Sequence, residues 1–373
     1  MKKIKVGIWG LGRAGIGMHI SEIAKFPEMF DIVAGCDIDK ERIKAAEAKL
    51  PPCRLYSSPE AFLKDPEMEF VSVATRSPDH TAHAIKALAA GKYVFLEKPI
   101  ALTYSDAKKL KRASEKYPGK LFLRHNCRYD TKFRHVREIV ATGILGNIYE
   151  VKLHRHSYQR RNDWQTIIGC GGGQVNNWGP HIIDHALRFL ESPVVKIWSD
   201  LKKIAAAGDA EDHLKIILTG KNGRIVDLEI SGGAAISQPE YIIFGTRGAL
   251  VCQGNTITMK YIDPKQKPAK LKANPGNPPL NGIFGNAEAL KWVEKTMPVA
   301  PKIPCDIHHI WQGLYEAIRK GKPYPITIEE GVEVVRISEL VKKGTEFADK
   351  KNPGKAVILD RDEVAVIREG LKL

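Results

Sequence analysis

Apolar positions in the first third of the chain fall into short unbroken runs separated by helical patterns. Ile4 to Trp9 reads as a nearly continuous apolar run, the pattern of a strand buried on both faces. Gly10 to Gly15 then turns the chain into a helix carrying Ile16, Ile20, Ile23 and Ala24 at helical spacing. Phe30 to Cys36 repeats the strand pattern and ends at Asp37, and Asp39 is placed to cap a helix through Leu50 that Pro51-Pro52 terminates. Phe70 to Thr75, Tyr93 to Leu96 and Leu121 to Leu123 read as three further strands. Between them, Ser77-Pro78-Asp79 starts a helix to Ala90 with Gly91 at the left-handed C-terminal position, and Thr103 or Ser105 caps another. Strands alternating with helices of this length predict a parallel, doubly wound α/β sheet over residues 1–124.

The pattern changes after about His125. A helix near Phe133 to Ala141 leads into β-rich stretches at Ile148 to His156, Val194 to Ile204, His213 to Leu218, Arg224 to Ile230, Tyr241 to Phe244 and Ala249 to Tyr261. Few helices separate them, so residues 125–373 are expected to form an α+β domain on a largely antiparallel open sheet. Asp263 to Phe284, rich in Pro, Lys and Asn, is expected to be a mobile loop. Trp311 to Lys320 and Ile328 to Val341 read as closing helices, and no internal repeat is evident.

At 373 residues and 43% hydrophobic content the chain is long enough for two cores, which excludes disordered and fibrous classes. Met1-Lys2-Lys3 runs directly into the first strand, too short a prelude for a signal peptide or membrane span, and a cytoplasmic protein is expected. Six scattered cysteines without a Cys-x-x-Cys pair read as reduced thiols. A net charge of +15 raises the question of nucleic acid, but lysines are spread over every expected helix. The one local cluster, Lys265, Lys267, Lys270 and Lys272, lacks the interleaved aromatics that stack bases. A solvated basic surface suited to an anionic small molecule is the better reading, with neither nucleic acid nor membrane as partner.

Gly10, Gly12 and Gly15, flanking Arg13 and Ala14, form a G-x-G-x-x-G pattern between a strand and a helix, the context in which it binds a dinucleotide. Asp37 ends the second strand, where a carboxylate accepts hydrogen bonds from the adenosine ribose and repels a 2′-phosphate. NAD is therefore expected, and Lys40 and Arg42 keep NADP in view.

With that loop, two more segments make a set: Glu97-Lys98-Pro99 at the end of the fourth expected strand, and Gly171-Gly172-Gly173-Gln174-Val175-Asn176-Asn177-Trp178-Gly179-Pro180-His181-Ile182-Ile183-Asp184. In this order and at these spacings the chain resembles the Gfo/Idh/MocA family of nicotinamide-dependent sugar and polyol oxidoreductases, from Lys3 to about Lys342. The resemblance implies hydride transfer at a secondary hydroxyl of a sugar, polyol, inositol or glycoside, without a metal. It places the loop of Thr75, Arg76 and His80, together with Glu97, against the dinucleotide. It makes the outer face of the second sheet a homodimer or homotetramer interface, and it packs closing helices within residues 327–373 back on the first domain. Lys98 would polarise the reacting oxygen from beside the nicotinamide, and His181 would take or give the hydroxyl proton. Asp184, three residues on along a helix, shares that face and would orient His181 or bind substrate.

Asn177 departs from the family pattern, in which many members carry Asp four residues before the histidine. A neutral amide neither accepts a proton nor supplies counter-charge to Lys98. Either His181 serves alone, or the substrate brings a carboxylate, or NAD stays bound and transient oxidation drives elimination, epimerisation or glycoside cleavage. A non-catalytic dinucleotide or sugar sensor is the remaining alternative, disfavoured by retention of both Lys98 and His181. Further candidates for the substrate pocket are Arg124, Asn126 and Arg128 after the last strand of the first domain, and His154, His156, Tyr158, Arg161 and Trp164 before the triple glycine. His80 with His83, or His181 with Asp184 and His185, have metal-ligand spacing, but no metal is expected.

Overall fold

The computed structural model describes residues 2–273, 275 and 288–348. Six strands, β1 (Ile4–Trp9), β2 (Phe30–Cys36), β3 (Arg54–Tyr56), β4 (Phe70–Val73), β5 (Tyr93–Leu96) and β6 (Leu121–Leu123), form a parallel sheet in the order β3-β2-β1-β4-β5-β6. The chain reverses direction of winding between β1 and β4, so the crevice at their carboxyl ends is where a ligand of such a sheet sits. Gly10, Ala74, Glu97 and Arg124 all follow strands at that one edge.

Eight strands follow: β7 (Ile148–His156), β8 (Val194–Lys202), β9 (His213–Gly220), β10 (Ile225–Ser231), β11 (Tyr241–Gly245), β12 (Gly248–Gln253), β13 (Thr256–Ile262) and β14 (Trp292–Pro298). They pair in the order β14-β13-β12-β11-β7-β10-β9-β8, antiparallel throughout except for β7 with β10. Alternation is regular on β9, where Leu214, Ile216 and Leu218 are buried and the residues between them are half-exposed. The buried face packs under the helix Gly179–Leu190, whose Ile183, Ala186, Leu187 and Leu190 join the same core. The other face carries Tyr149, Trp198, Ile225 and Trp292, all exposed.

Helix His309–Lys320 inserts Ile310, Trp311, Leu314 and Tyr315 into the core of the first sheet. Helix Ile328–Leu340 lies between the two cores, giving Val332 and Val335 to the first and Val334 and Ile337 to the second. Residues 349–373, within the expected closing helices, lie outside the described residues, as does most of the expected loop at 274–284.

The β-rich stretch Ala249 to Tyr261 is a hairpin, turned at Gly254 with φ 57. The short edge strand β3 and the exposed edge strand β14 were not expected from the pattern. The helix expected through Leu50 ends at Glu47, with Asp39 as its cap.

Candidate active site

The glycine loop is shaped by close approach. Gly10 adopts φ 103, and a Cβ there would lie 2.5 Å from Ala74 O; a Cβ on Gly15 would overlap the carbonyl of Gly10. Gly12 is different, since a Cβ there would meet only Arg42 Nη1 at 3.4 Å, so its backbone faces open space. Asp37, buried at the end of β2, accepts from Leu11 N (2.8 Å) through one oxygen and from Asp39 N (3.0 Å) through the other. An open glycine face at a helix start beside an acceptor-only carboxylate fits a pyrophosphate and its ribose, and Gly10, Gly12, Gly15 and Asp37 would hold NAD. Arg13 and Ala14 lie on the same turn, Arg13 exposed.

The next loop is only partly as expected. Thr75 Oγ1 pairs with His83 Nδ1 (3.0 Å), and the His83 ring stacks on Trp9 at 4.2 Å. Arg76 is exposed and pairs with Asp79. His80 is not a cofactor contact, because its ring nitrogens face two carbonyls, Pro99 O (2.7 Å) and Thr75 O (3.0 Å). Burial pushes its pKa down, and a neutral ring donates to one of these at a time, stapling the β4 loop to the Lys98-Pro99 turn.

Behind Lys98 lies a buried ionic network that overturns two assignments. Glu97 accepts from Arg124 Nη1 (2.7 Å), His19 Nε2 (2.9 Å) and the Lys98 amide (2.9 Å), and so faces inward rather than toward the dinucleotide. Arg124 is fully buried and also grips both oxygens of Glu22 at 2.6 and 2.8 Å. It has no access to substrate. Trp311 Nε1 donates to Glu22 (2.6 Å), which ties the closing helix into the network. Burial alone would raise the Glu97 carboxyl, but Arg124 and His19 reverse this and hold it well below its ordinary value. The network sets the backbone from which Lys98 projects.

Lys98 Nζ donates to the carbonyl of Asn177 at 2.9 Å. That link is to backbone and does not depend on the side chain at position 177. Burial lowers the Lys98 pKa, opposed by Glu97. His181 is 5% exposed, and burial followed by the Lys98 charge drives its pKa well below the usual histidine value. Its Nδ1 is sealed and without a hydrogen-bond partner, which leaves Nε2 as the nitrogen with access to the site.

Asp184 does not orient His181. It accepts from Arg128 Nε (2.7 Å) and Nη2 (2.6 Å), while Arg128 Nη1 bonds Glu330 (2.6 Å) and Pro325 O (2.9 Å). Burial would raise Asp184, yet the Arg128 bond brings its pKa below the ordinary value. The pair locks the exit of the first domain to helices Gly179–Leu190 and Ile328–Leu340, so neither residue is free to bind substrate. Asn126 is 3% exposed with its amide oxygen buried, and His154 Nδ1 is held by Pro239 O at 2.7 Å, so neither faces a ligand. Of the other pocket candidates, Tyr158 and Trp164 are exposed, His156 faces Glu229 (3.2 Å), and Arg161 is clamped to Asp163.

Two features escaped the sequence reading. His125 is buried beside this centre with both ring nitrogens unpartnered. Arg155 lies over the Trp178 ring, 3.1 Å from its centroid. The signal for Arg155 was the parity of β7, on which Val151, Leu153 and Arg155 share the core face. The triple glycine is tightly packed rather than loose, since side chains at Gly172 and Gly173 would overlap Gln165 O and the Glu211 carboxylate. Among the described residues no group of three His, Cys, Asp or Glu is arranged to hold a metal, and no helix is long and apolar enough to cross a membrane.

A loop that fits a pyrophosphate, next to a buried ammonium and an imidazole kept neutral, defines a dinucleotide-dependent oxidoreductase. Residues 4–125 match the oxidoreductase-family NAD-binding Rossmann fold, and residues 133–251 match the GFO/IDH/MocA C-terminal domain. The chain belongs to the Gfo/Idh/MocA oxidoreductase family, and it is an NAD(P)-dependent dehydrogenase acting on CH–OH groups. It is similar to the scyllo-inositol 2-dehydrogenase (NADP(+)) IolW of Bacillus subtilis, 26% identical over 90% of this chain and 92% of that one. Among solved structures, an NAD-binding protein from Listeria innocua superposes with a TM-score of 0.78 at 23% identity, covering 93% of this chain and 98% of that one. The WlbA dehydrogenase of Bordetella pertussis, in complex with NADH and UDP-GlcNAcA, gives 0.71 at 20% identity over 90% and 93%.

Proposed function

We propose that this protein transfers hydride between NAD and a secondary hydroxyl of a sugar, polyol, inositol or glycoside, with Lys98 on the reacting oxygen and His181 as proton acceptor. The observation that carries the reading is a buried ammonium beside an imidazole that burial and that same charge keep neutral. Bound NAD supplies the hydride acceptor. Lys98 spends one of its three donors on Asn177 O and keeps two for the substrate oxygen, where they stabilise developing negative charge. Neutral His181 takes the hydroxyl proton as the C–H electron pair leaves and the carbonyl forms; reduction runs the same steps in reverse. The similarity to IolW supports a polyhydroxylated ring as substrate. The exposed Tyr149, Trp198, Ile225 and Trp292 on one sheet face support a homo-oligomer joined there, and six free cysteines suit a reducing cytoplasm. Lys98→Met tests the chemistry: turnover should fall about 100- to 1,000-fold while NAD binding persists. Equal turnover in variant and wild type would remove Lys98 from the reaction.

A further inference from the structure

Arg155 is an exposed cation in no ion pair with a described residue, set against Trp178 beside the Asn177 carbonyl that holds Lys98. It projects from the core face of β7, beyond Val151 and Leu153, onto Trp178 at the start of helix Gly179–Leu190. Trp178 follows Asn177, whose carbonyl holds Lys98, and its ring lies 5.5 Å from that of His181. The arginines around it are committed: Arg124 to Glu22 and Glu97, Arg128 to Asp184 and Glu330, Arg161 to Asp163. Arg155 makes no hydrogen bond or ion pair with any described residue; its contact is the indole face. The carboxylates whose charge reaches Arg155 are committed elsewhere, Glu240 to Lys132 and Asp130 to the amide of Phe133. Position 177, whose carbonyl holds Lys98, carries an uncharged amide side chain.

Lys98 and Arg155 share one neighbourhood. Burial pushes the Cys127 thiol up to about 12, and both cations act against that shift. Neither the Lys98 ammonium nor the Arg155 guanidinium forms an ion pair with a described residue. A guanidinium carbon 3.1 Å from a ring centroid lies nearly parallel to the ring, since a tilted one would drive a nitrogen into it. Its N–H edge then points outward in the plane, the geometry that receives a carboxylate or phosphate through paired hydrogen bonds.

We propose that the substrate carries an anionic group, a carboxylate or a phosphate, seated on Arg155 against Trp178, and that this group supplies the negative charge Asn177 lacks. The substrate class is then an acidic sugar: a uronate, an aldonate or a sugar phosphate. This rests on the dehydrogenase reading above and narrows it.

The test uses NAD-saturated protein and matched pairs of probes: galactose against galacturonate, glucitol against gluconate, and glucose against its phosphate monoester. Both NADH formation and equilibrium binding are measured. The acidic member of at least one pair should be preferred about 10- to 100-fold, the range of a charge-assisted pair of hydrogen bonds, and the preference should shrink with added salt. Arg155→Met should abolish it mainly through KM, and Arg155→Lys should restore preference for the phosphate more than for the carboxylate, which a packing role would not do. Preference for the uronate or aldonate identifies a carboxylate site, and preference for the monoester identifies a phosphate site. Absence of any preference in both measurements overturns the anion assignment and leaves the dehydrogenase reading standing. Acidic ligands that bind through Arg155 yet reduce no NAD support the anion site and count against the dehydrogenase. If Arg155→Met does not fold, the Arg155→Lys split and the salt dependence of wild type decide.

Discussion

Arg124→Met should unfold the protein more readily rather than merely weaken substrate binding. The guanidinium makes three charge-assisted bonds of 2.6 to 2.8 Å to two buried carboxylates, and methionine keeps the stem but none of the charge. Glu22 would retain Trp311 Nε1, and Glu97 would retain His19 and the Lys98 amide, so neither is stripped completely. Breaking a buried ion pair from one side costs about 3–5 kcal/mol, and the surviving bonds place this case in that range rather than above it. The pH dependence carries a sign. Glu97 is held below its unfolded value of 4.5, so its contribution is present above that pH and is lost as pH falls through the lower folded value. The gap between variant and wild type is therefore widest near neutrality and narrows below about pH 4.5. Urea unfolding followed by tryptophan fluorescence measures it, and adding Glu22→Gln should recover part of the loss by removing one uncompensated charge. A variant with the wild-type urea midpoint but impaired substrate affinity would refute the structural role and return Arg124 to the pocket.

Other predictions follow from the site. The kcat/KM for alcohol oxidation should fall on the acid side with a pKa below 6.5, because protonated His181 accepts no proton; a limb at or above that value would assign the base elsewhere. His125→Phe removes two unpartnered buried nitrogens and should be neutral or stabilising by about 1 kcal/mol. Burial lowers the folded pKa of His125, so wild type loses stability as pH falls below 6.5 while the variant loses less; parallel acid-unfolding curves would contradict this. Asp37→Ala should weaken NAD far more than NADP, since a carboxylate recognises the ribose hydroxyls and repels a 2′-phosphate; unchanged NAD affinity by titration would place the ribose contact elsewhere.

The nucleotide half was legible because its strands are buried on both faces and read as apolar runs, with glycines where backbone must approach backbone. β3 and β14 were not, since one has three residues and the other is largely exposed at a sheet edge. Lys98 and His181 stand out in their motifs, and the fold brings both to the Asn177–Trp178 turn, whereas Arg124 was misread. A polar residue after a buried strand looks like a pocket residue until Glu97 and Glu22, 27 and 102 positions away, are brought onto it. His154 and Arg155 show the effect of strand parity. Neighbours on β7 point to opposite faces, and choosing the histidine selected the side held by Pro239 while Arg155 lay over Trp178. The pairing of His181 with Asp184 failed because spacing puts two residues on one helix face without saying which is claimed by a third, here Arg128.

The most direct test of the account is the ratio of NADH released to carbohydrate consumed by the purified protein, with mass spectrometry of any nucleotide it carries. The account predicts one NADH for each secondary hydroxyl oxidised. Protein that consumes carbohydrate while its NAD stays bound and no NADH accumulates would contradict net dehydrogenation and point to an internal redox cycle.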